Sequence, residues 1–251
     1  MSPELPEISL NSERTGMKYD AIIFDLFGTL VDNCGGKFAD RLRQDGLLAD
    51  MVGGREDEFT ALWDADAMYL NRVTGNHRLA SDCVRHICSR MGIAPDPRHV
   101  ERIQQCRMEY VKTVIDPRSD VIPTLSHLRQ RGLKLGLITV CTWEVSLCWQ
   151  ASEVAGLFDV AVFSCAEGLT KPDPRLYQRT CEWLGTSPER CLYVGDGSGD
   201  ELAGAKRCGM DAVLICAPHE EHIVMERSEA RNWTGLKISA IGEMLGLIDQ
   251  E

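Results

Sequence analysis

Asp25 comes straight after the apolar run Ile22-Ile23-Phe24 and leads into Leu26-Phe27-Gly28-Thr29-Leu30, so a carboxylate, a glycine and a hydroxyl close a stretch of strand character. Later segments carry polar groups at comparable points: Thr139 after Gly136-Leu137-Ile138, Lys171 in Thr170-Lys171-Pro172-Asp173-Pro174, and Asp196 with Asp200 in Gly195-Asp196-Gly197-Ser198-Gly199-Asp200. A carboxylate is a poor nucleophile toward a phosphate dianion unless the repulsion is neutralised and the phosphorus is held in line. Two aspartates at separate strand ends, completed by a backbone carbonyl and water, suit the hard octahedral preference of Mg²⁺. That chemistry requires four distant segments to meet in one small volume.

The elements that would bring them together can be read from apolar runs. Short runs at residues 21–24, 133–138, 160–163, 191–194 and 212–215 have the length and burial pattern of parallel strands. Helix-compatible stretches at 121–131, 143–153, 174–184 and 201–208 lie between the later ones. This alternation predicts an α/β fold, a Rossmann-like doubly wound parallel sheet. Right-handed crossovers then place all strand C-terminal ends on one edge, where ligands bind in open sheets.

Residues 38–115 break the alternation and read as roughly four amphipathic helices, punctuated at Gly53-Gly54, Gly75-Asn76 and Ala94-Pro95-Asp96-Pro97. We expect an inserted all-helical cap at 35–116 on a catalytic core made of 18–34 and 117–251, with 33–36 and 116–119 as hinges. Residues 1–17 lack sustained periodicity and are expected to be a disordered leader, with Met17 an alternative start.

A net charge of -11 and the lack of a basic stripe argue against a nucleic-acid or anionic-lipid partner, and the longest apolar runs are too short to cross a membrane. An anionic substrate would therefore have to be held by local groups and metal. The eleven cysteines are scattered without a CxxC pair, which points to reduced thiols in the cytoplasm.

The segments DLFGTLVD, the strand ending at Thr139, KPDP and VGDGSGDELAGAKRCGM resemble, in order, the four motifs of the haloacid dehalogenase superfamily over residues 20 to about 216. The resemblance implies a Mg²⁺-dependent hydrolase with Asp25 as nucleophile, acting on a small phosphomonoester through an aspartyl-phosphate. It implies Asp25, the carbonyl of Phe27 and Asp196 as metal ligands, with Asp200 in the ligand sphere or just behind it; Glu201 next to it is an alternative. Thr139 would donate to a phosphoryl oxygen, Lys171 would place a fixed charge against nucleophile and transition state, and Thr29 would help complete the cradle. Strand-end aspartates also cap helices and turns, and Lys171 taken singly would read as a solvated side chain.

Two positions depart from the pattern. Phosphatases of the superfamily usually carry a second aspartate two residues after the nucleophile to protonate the leaving group, and here that residue is Phe27. Loss of a general acid typically costs about 10²–10⁴ in rate. An aromatic there is similar to the dehalogenase branch, whose members need no metal, so a 2-haloacid dehalogenase and a catalytically weakened phospholigand-binding protein are the alternatives. Retention of Asp196 favours Mg²⁺ and phosphoryl transfer. Val140 also replaces a polar residue common in relatives.

For substrate contact the inter-helix turns offer Asn76, His77 and Arg78, with His77 a candidate proton donor and Arg78 an anion clamp, although solvated turn residues are the more common case. His219 and His222 lack a third zinc ligand, Lys37 reads as a surface lysine, and Trp143, Trp149 and Trp183 read as packing residues. No motif specifies one phosphate ester or an oligomeric state.

Overall fold

The computed structural model describes residues 17–33 and 38–249; most of the expected leader, Lys37 and residues 34–36 of the first hinge lie outside them. Six parallel strands form one sheet: β1 (Ala21–Phe24), β2 (Lys134–Thr139), β3 (Val160–Phe163), β4 (Cys191–Gly195), β5 (Asp211–Ile215) and β6 (Lys237–Ile238). Their order is β3-β2-β1-β4-β5-β6, so the chain builds outward from β1 on one side and then returns to build on the other. β1 lies at the point where the winding reverses, and the crevice beyond its C-terminal end is where such sheets bind ligands. Phe24 pairs in register with Leu137 and Val194, which brings the ends of β2 and β4 level with it. β2 starts and ends one residue later than expected, making Thr139 its last residue; the two-residue β6 was too short to leave a periodic signal.

Alternate side chains of each strand go to opposite faces. Ile22, Phe24, Leu135, Leu137, Val194 and Val213 pack on one face, under α7 (Val121–Gln130) and α8 (Trp143–Trp149). Ile23, Ile138, Tyr193 and Leu214 pack on the other, against Leu176 and Tyr177 from Pro174–Leu184 and Leu202 from Glu201–Arg207. The helix at 143 stops at Trp149, not near 153 as the sequence suggests.

Among the described residues the segment inserted between β1 and α7 contains six helices, not about four: α1 (Phe38–Gln44), α2 (Leu47–Val52), α3 (Glu56–Asp64), α4 (Asp66–Val73), α5 (Ala80–Arg90) and α6 (Pro97–Val114). α1 and α2 are separated by Asp45-Gly46 and α3 and α4 by a single extended residue, Ala65, breaks too brief to read as turns. The insert has its own apolar cluster, including Leu48, Phe59, Val84, Ile87 and Ile103. It also docks on the core: buried Glu144 accepts from the Ala80 amide at 2.6 Å, and Ser164 Oγ donates to the Val73 carbonyl at 2.7 Å. Arg118, on the second connecting segment, donates to Asp32, the Thr29 carbonyl and Glu220, which pins the core ends of both connections.

The remaining helices, in chain order, are α9 (Ser164–Glu167), α10 (Pro174–Leu184), α11 (Glu201–Arg207), α12 (Glu221–Val224), α13 (Ser228–Asn232) and α14 (Met244–Asp249). No helix is long and apolar enough to cross a membrane among the described residues. Trp149 packs edge-on against Phe158 and Phe163, but Trp183, expected to pack, is exposed and flanked by Arg179.

Candidate active site

Asp25 leaves β1 with its amide still donating to the Val194 carbonyl at 2.9 Å, so the ladder holds its backbone while its side chain enters the crevice. The chain then turns within Leu26–Val31, with Leu30 N–H donating to the Leu26 carbonyl. Gly28, at φ +78°, is needed in that turn: a Cβ there would fall 1.9 Å from Asp196 Oδ2. Thr29 is fully buried and donates its hydroxyl to Asp25 Oδ2 at 3.3 Å, so it braces the nucleophile candidate and does not line the cavity.

Lys171 precedes α10, whose start is set by Pro174 and by Asp173 accepting from the Arg175 amide at 3.0 Å. Its ammonium contacts both Asp25 and Glu201 and lies 3.4 Å from the Tyr193 hydroxyl. Burial opposes its charge, but Asp25 and Glu201 outweigh burial and hold it above the ordinary lysine range. Burial raises the Asp25 carboxyl, and Lys171 only partly offsets this while Asp196 adds to it.

The loop after β4 separates two neighbouring acids. Gly197, Gly199 and Asp200 all have positive φ, and this left-handed stretch leaves Asp200 exposed while Glu201 opens α11 fully buried. Glu201 accepts from the Tyr193 hydroxyl at 2.8 Å and the Gly197 amide at 3.0 Å; burial, then Asp25, push its carboxyl up to about 8. Gly195 leaves room for it, since a Cβ would lie 2.4 Å from Glu201 Oε1. Asp196 is fully buried, accepts from the Ser198 amide at 3.1 Å and is met by the Arg227 guanidinium and, at 3.4 Å, by Asn33 Nδ2.

Asp25, Asp196 and Glu201 each offer an oxygen within 4.8 Å of the others. Among the described residues three buried carboxylates face only the cations of Lys171 and Arg227, so hard oxygen donors are in excess, and the set fits a divalent cation such as Mg²⁺. Asp200 lies outside this cluster. In a second grouping of Asp32, His219 and Glu220 the two acids already meet the Arg118 guanidinium and His219 meets Asp32; His222 is not part of it. Thr139 is fully buried, and its hydroxyl has no hydrogen-bond partner among the described residues.

A cavity of about 630 Å³ lies between core and insert. Asp25, Phe27, Val140, Lys171 and Ser198 line its core side; Phe38, Trp63, Tyr69, Arg72, Arg107 and Tyr110 line its cap side. His77 and Arg78 do not line it. They belong to the loop that docks the insert: Arg78 stacks 4.8 Å over the Trp143 ring, and His77 packs against His86, where burial and then His86 lower its basicity. Turn chemistry located an exposed loop, but docking made that loop a contact with α8.

Residues 19–209 match the family of haloacid dehalogenase-like hydrolases. A glyceraldehyde 3-phosphate phosphatase of Methanopyrus kandleri is 29% identical over 202 residues, 78% of this chain and 83% of that protein. An (S)-2-haloacid dehalogenase of Pseudomonas putida is 23% identical over 84% of this chain and 95% of its own. Among solved structures, a 2-haloacid dehalogenase from Pseudomonas syringae pv. Tomato superposes with a TM-score of 0.64 at 19% identity, covering 92% of this chain and 99% of that one, and shares the fold.

Proposed function

Because this chain belongs to the haloacid dehalogenase-like hydrolase family, we propose that it is a Mg²⁺-dependent phosphatase acting on a small phosphomonoester. The observation that carries this reading is the buried cluster of Asp25, Asp196 and Glu201 held around Lys171. A metal-free displacement at carbon has no need of a second and third buried acid, whereas hard donors in this number suit a divalent cation beside a phosphoryl group.

In the proposed reaction an Asp25 carboxylate oxygen attacks phosphorus and the ester P–O bond breaks, leaving an aspartyl-phosphate and an alcohol; water then attacks phosphorus and frees phosphate. Lys171 holds its proton throughout and offsets charge on Asp25 and on the transferring group. Thr139 donates its unpartnered hydroxyl to a phosphoryl oxygen. Asp25, Asp196, the Phe27 carbonyl and Glu201, offered in place of the exposed Asp200, would hold Mg²⁺, which supplies charge neutralisation between nucleophile and substrate. Phe27 cannot protonate the leaving group, so that proton comes from the substrate or from the cap side, where Asp64 lines the cavity. Among the described residues ten of the eleven cysteines are free thiols, which supports a reducing compartment, the cytoplasm.

The apolar Phe27 beside the nucleophile and the relative from Pseudomonas putida favour a second reading, displacement of halide from a 2-haloacid. A phosphomonoester panel with and without Mg²⁺, run beside a halide-release assay in EDTA, tests both. Phosphate release that requires Mg²⁺ is expected; metal-independent halide release without phosphate release would overturn the phosphatase reading.

A further inference from the structure

The cap wall of the cavity holds two guanidinium groups that the proposed reaction does not use. Arg72 donates from Nη1 to the Trp63 carbonyl at 2.9 Å and lies 4.7 Å from the Trp63 ring centroid. Arg107 lies 5.0 Å from the Phe38 ring and 5.4 Å from the Tyr110 ring, with Nη2 3.5 Å from the Thr142 hydroxyl. Among the described residues neither forms an ion pair with a carboxylate, in a chain that carries 38 acidic residues. Arg118 and Arg227, the partly buried arginines nearer the sheet, are both paired with acids.

Burial lowers Arg72 and Arg107 adds repulsion, with a through-space pull from Asp64 among the smaller influences in the other direction. Two like charges held partly out of water among aromatic faces are costly unless an anion joins them. A guanidinium presents a planar fork of donors that matches a carboxylate or phosphate. The phosphoryl group is accounted for on the core side by Lys171 and Thr139, so an anion on the cap wall must belong to the other end of the ligand. A volume of about 630 Å³ is also generous for a two- or three-carbon ester, since pockets of roughly 300–1,000 Å³ hold drug-sized ligands.

We propose that the substrate is a phosphomonoester with a second anionic group on an apolar, flat body, the anion seated on Arg72 and Arg107 and the body against Phe38, Trp63 and Tyr110. This rests on the phosphatase reading for the identity of the reacting end, but the second-anion subsite can be measured without turnover.

The test is calorimetric binding, to the full chain with Mg²⁺, of phenylphosphonate, 4-carbamoylphenylphosphonate, 4-carboxyphenylphosphonate and 1,4-phenylenediphosphonate. None of these can be hydrolysed as an ester. The carboxylate or second phosphonate should tighten binding about tenfold over the neutral amide of equal size, as expected for hydrogen bonds to a charged group. The comparison of the two anions tells which group the subsite prefers. Arg107→Gln and Arg72→Gln should each bring the ratio toward one. Arg107 makes no bond to the backbone among the described residues, so its variant carries the test if loss of the Trp63 contact unfolds the other. Equal affinities in the wild type, or a preference that survives both substitutions, would overturn the subsite. Turnover of phenyl phosphate, measured separately, distinguishes the two readings: a tenfold preference without turnover removes the phosphatase and keeps the subsite, and turnover with equal affinities does the reverse.

Discussion

Thr139→Val separates stability from activity at a single atom. The Thr139 hydroxyl is fully buried at the end of β2 and meets no hydrogen-bond partner among the described residues, and an unsatisfied buried hydroxyl costs about 1–3 kcal/mol. Valine has nearly the same shape and favours strand geometry, so the substitution should stabilise the free protein by about 1–2 kcal/mol, or about 2–8 °C in Tm for a chain of this size. If the hydroxyl's partner is the phosphoryl group, the same change removes a hydrogen bond to a charged acceptor worth about 1.5–3 kcal/mol and lowers kcat/KM by about 10- to 100-fold. Thermal denaturation without substrate and initial rates on an aryl phosphate read the two effects independently. A fall in Tm would mean that the hydroxyl is satisfied in the free protein. A raised Tm with unchanged kcat/KM would mean that it never meets the reacting group.

Asp25→Asn should abolish phosphate release and leave Tm unchanged or higher, because Lys171 keeps Glu201 as a counter-ion and one of three crowded carboxylates is gone; residual turnover in a clean preparation would reject Asp25 as nucleophile. Asp196→Ala should weaken Mg²⁺ binding at least tenfold by titration calorimetry, and full activity in excess EDTA would exclude the metal-dependent reading. Phe27→Asp should raise turnover of alkyl phosphates at least tenfold relative to aryl phosphates, since only the poorer leaving group needs protonation; equal effects on both series would show that Phe27 acts through shape.

Much of the fold and the core side of the candidate site was legible in the sequence, because both depend on local signals. Continuous apolar runs ending in Asp25, Thr139 and Asp196 mark buried parallel strands, and a parallel sheet must put those ends on one edge. The cap wall was not legible. Arg72 and Arg107 sit on helices whose periodicity fixes an apolar face but not which neighbour the remaining face meets, and docking through Glu144 and Ser164 decided that. The same docking took His77 and Arg78 out of the cavity that their turn position suggested. Asp200 and Glu201 are adjacent acids that composition cannot rank; a left-handed turn through Gly199 and Asp200 sends one to solvent and buries the other beside Lys171. Sequence by itself determined which side chains the strand ends carry, since strand formation is local in period and burial. Tertiary structure alone decided which acids share one volume and which arginines face it, because those distances follow from the packing of segments far apart in the chain.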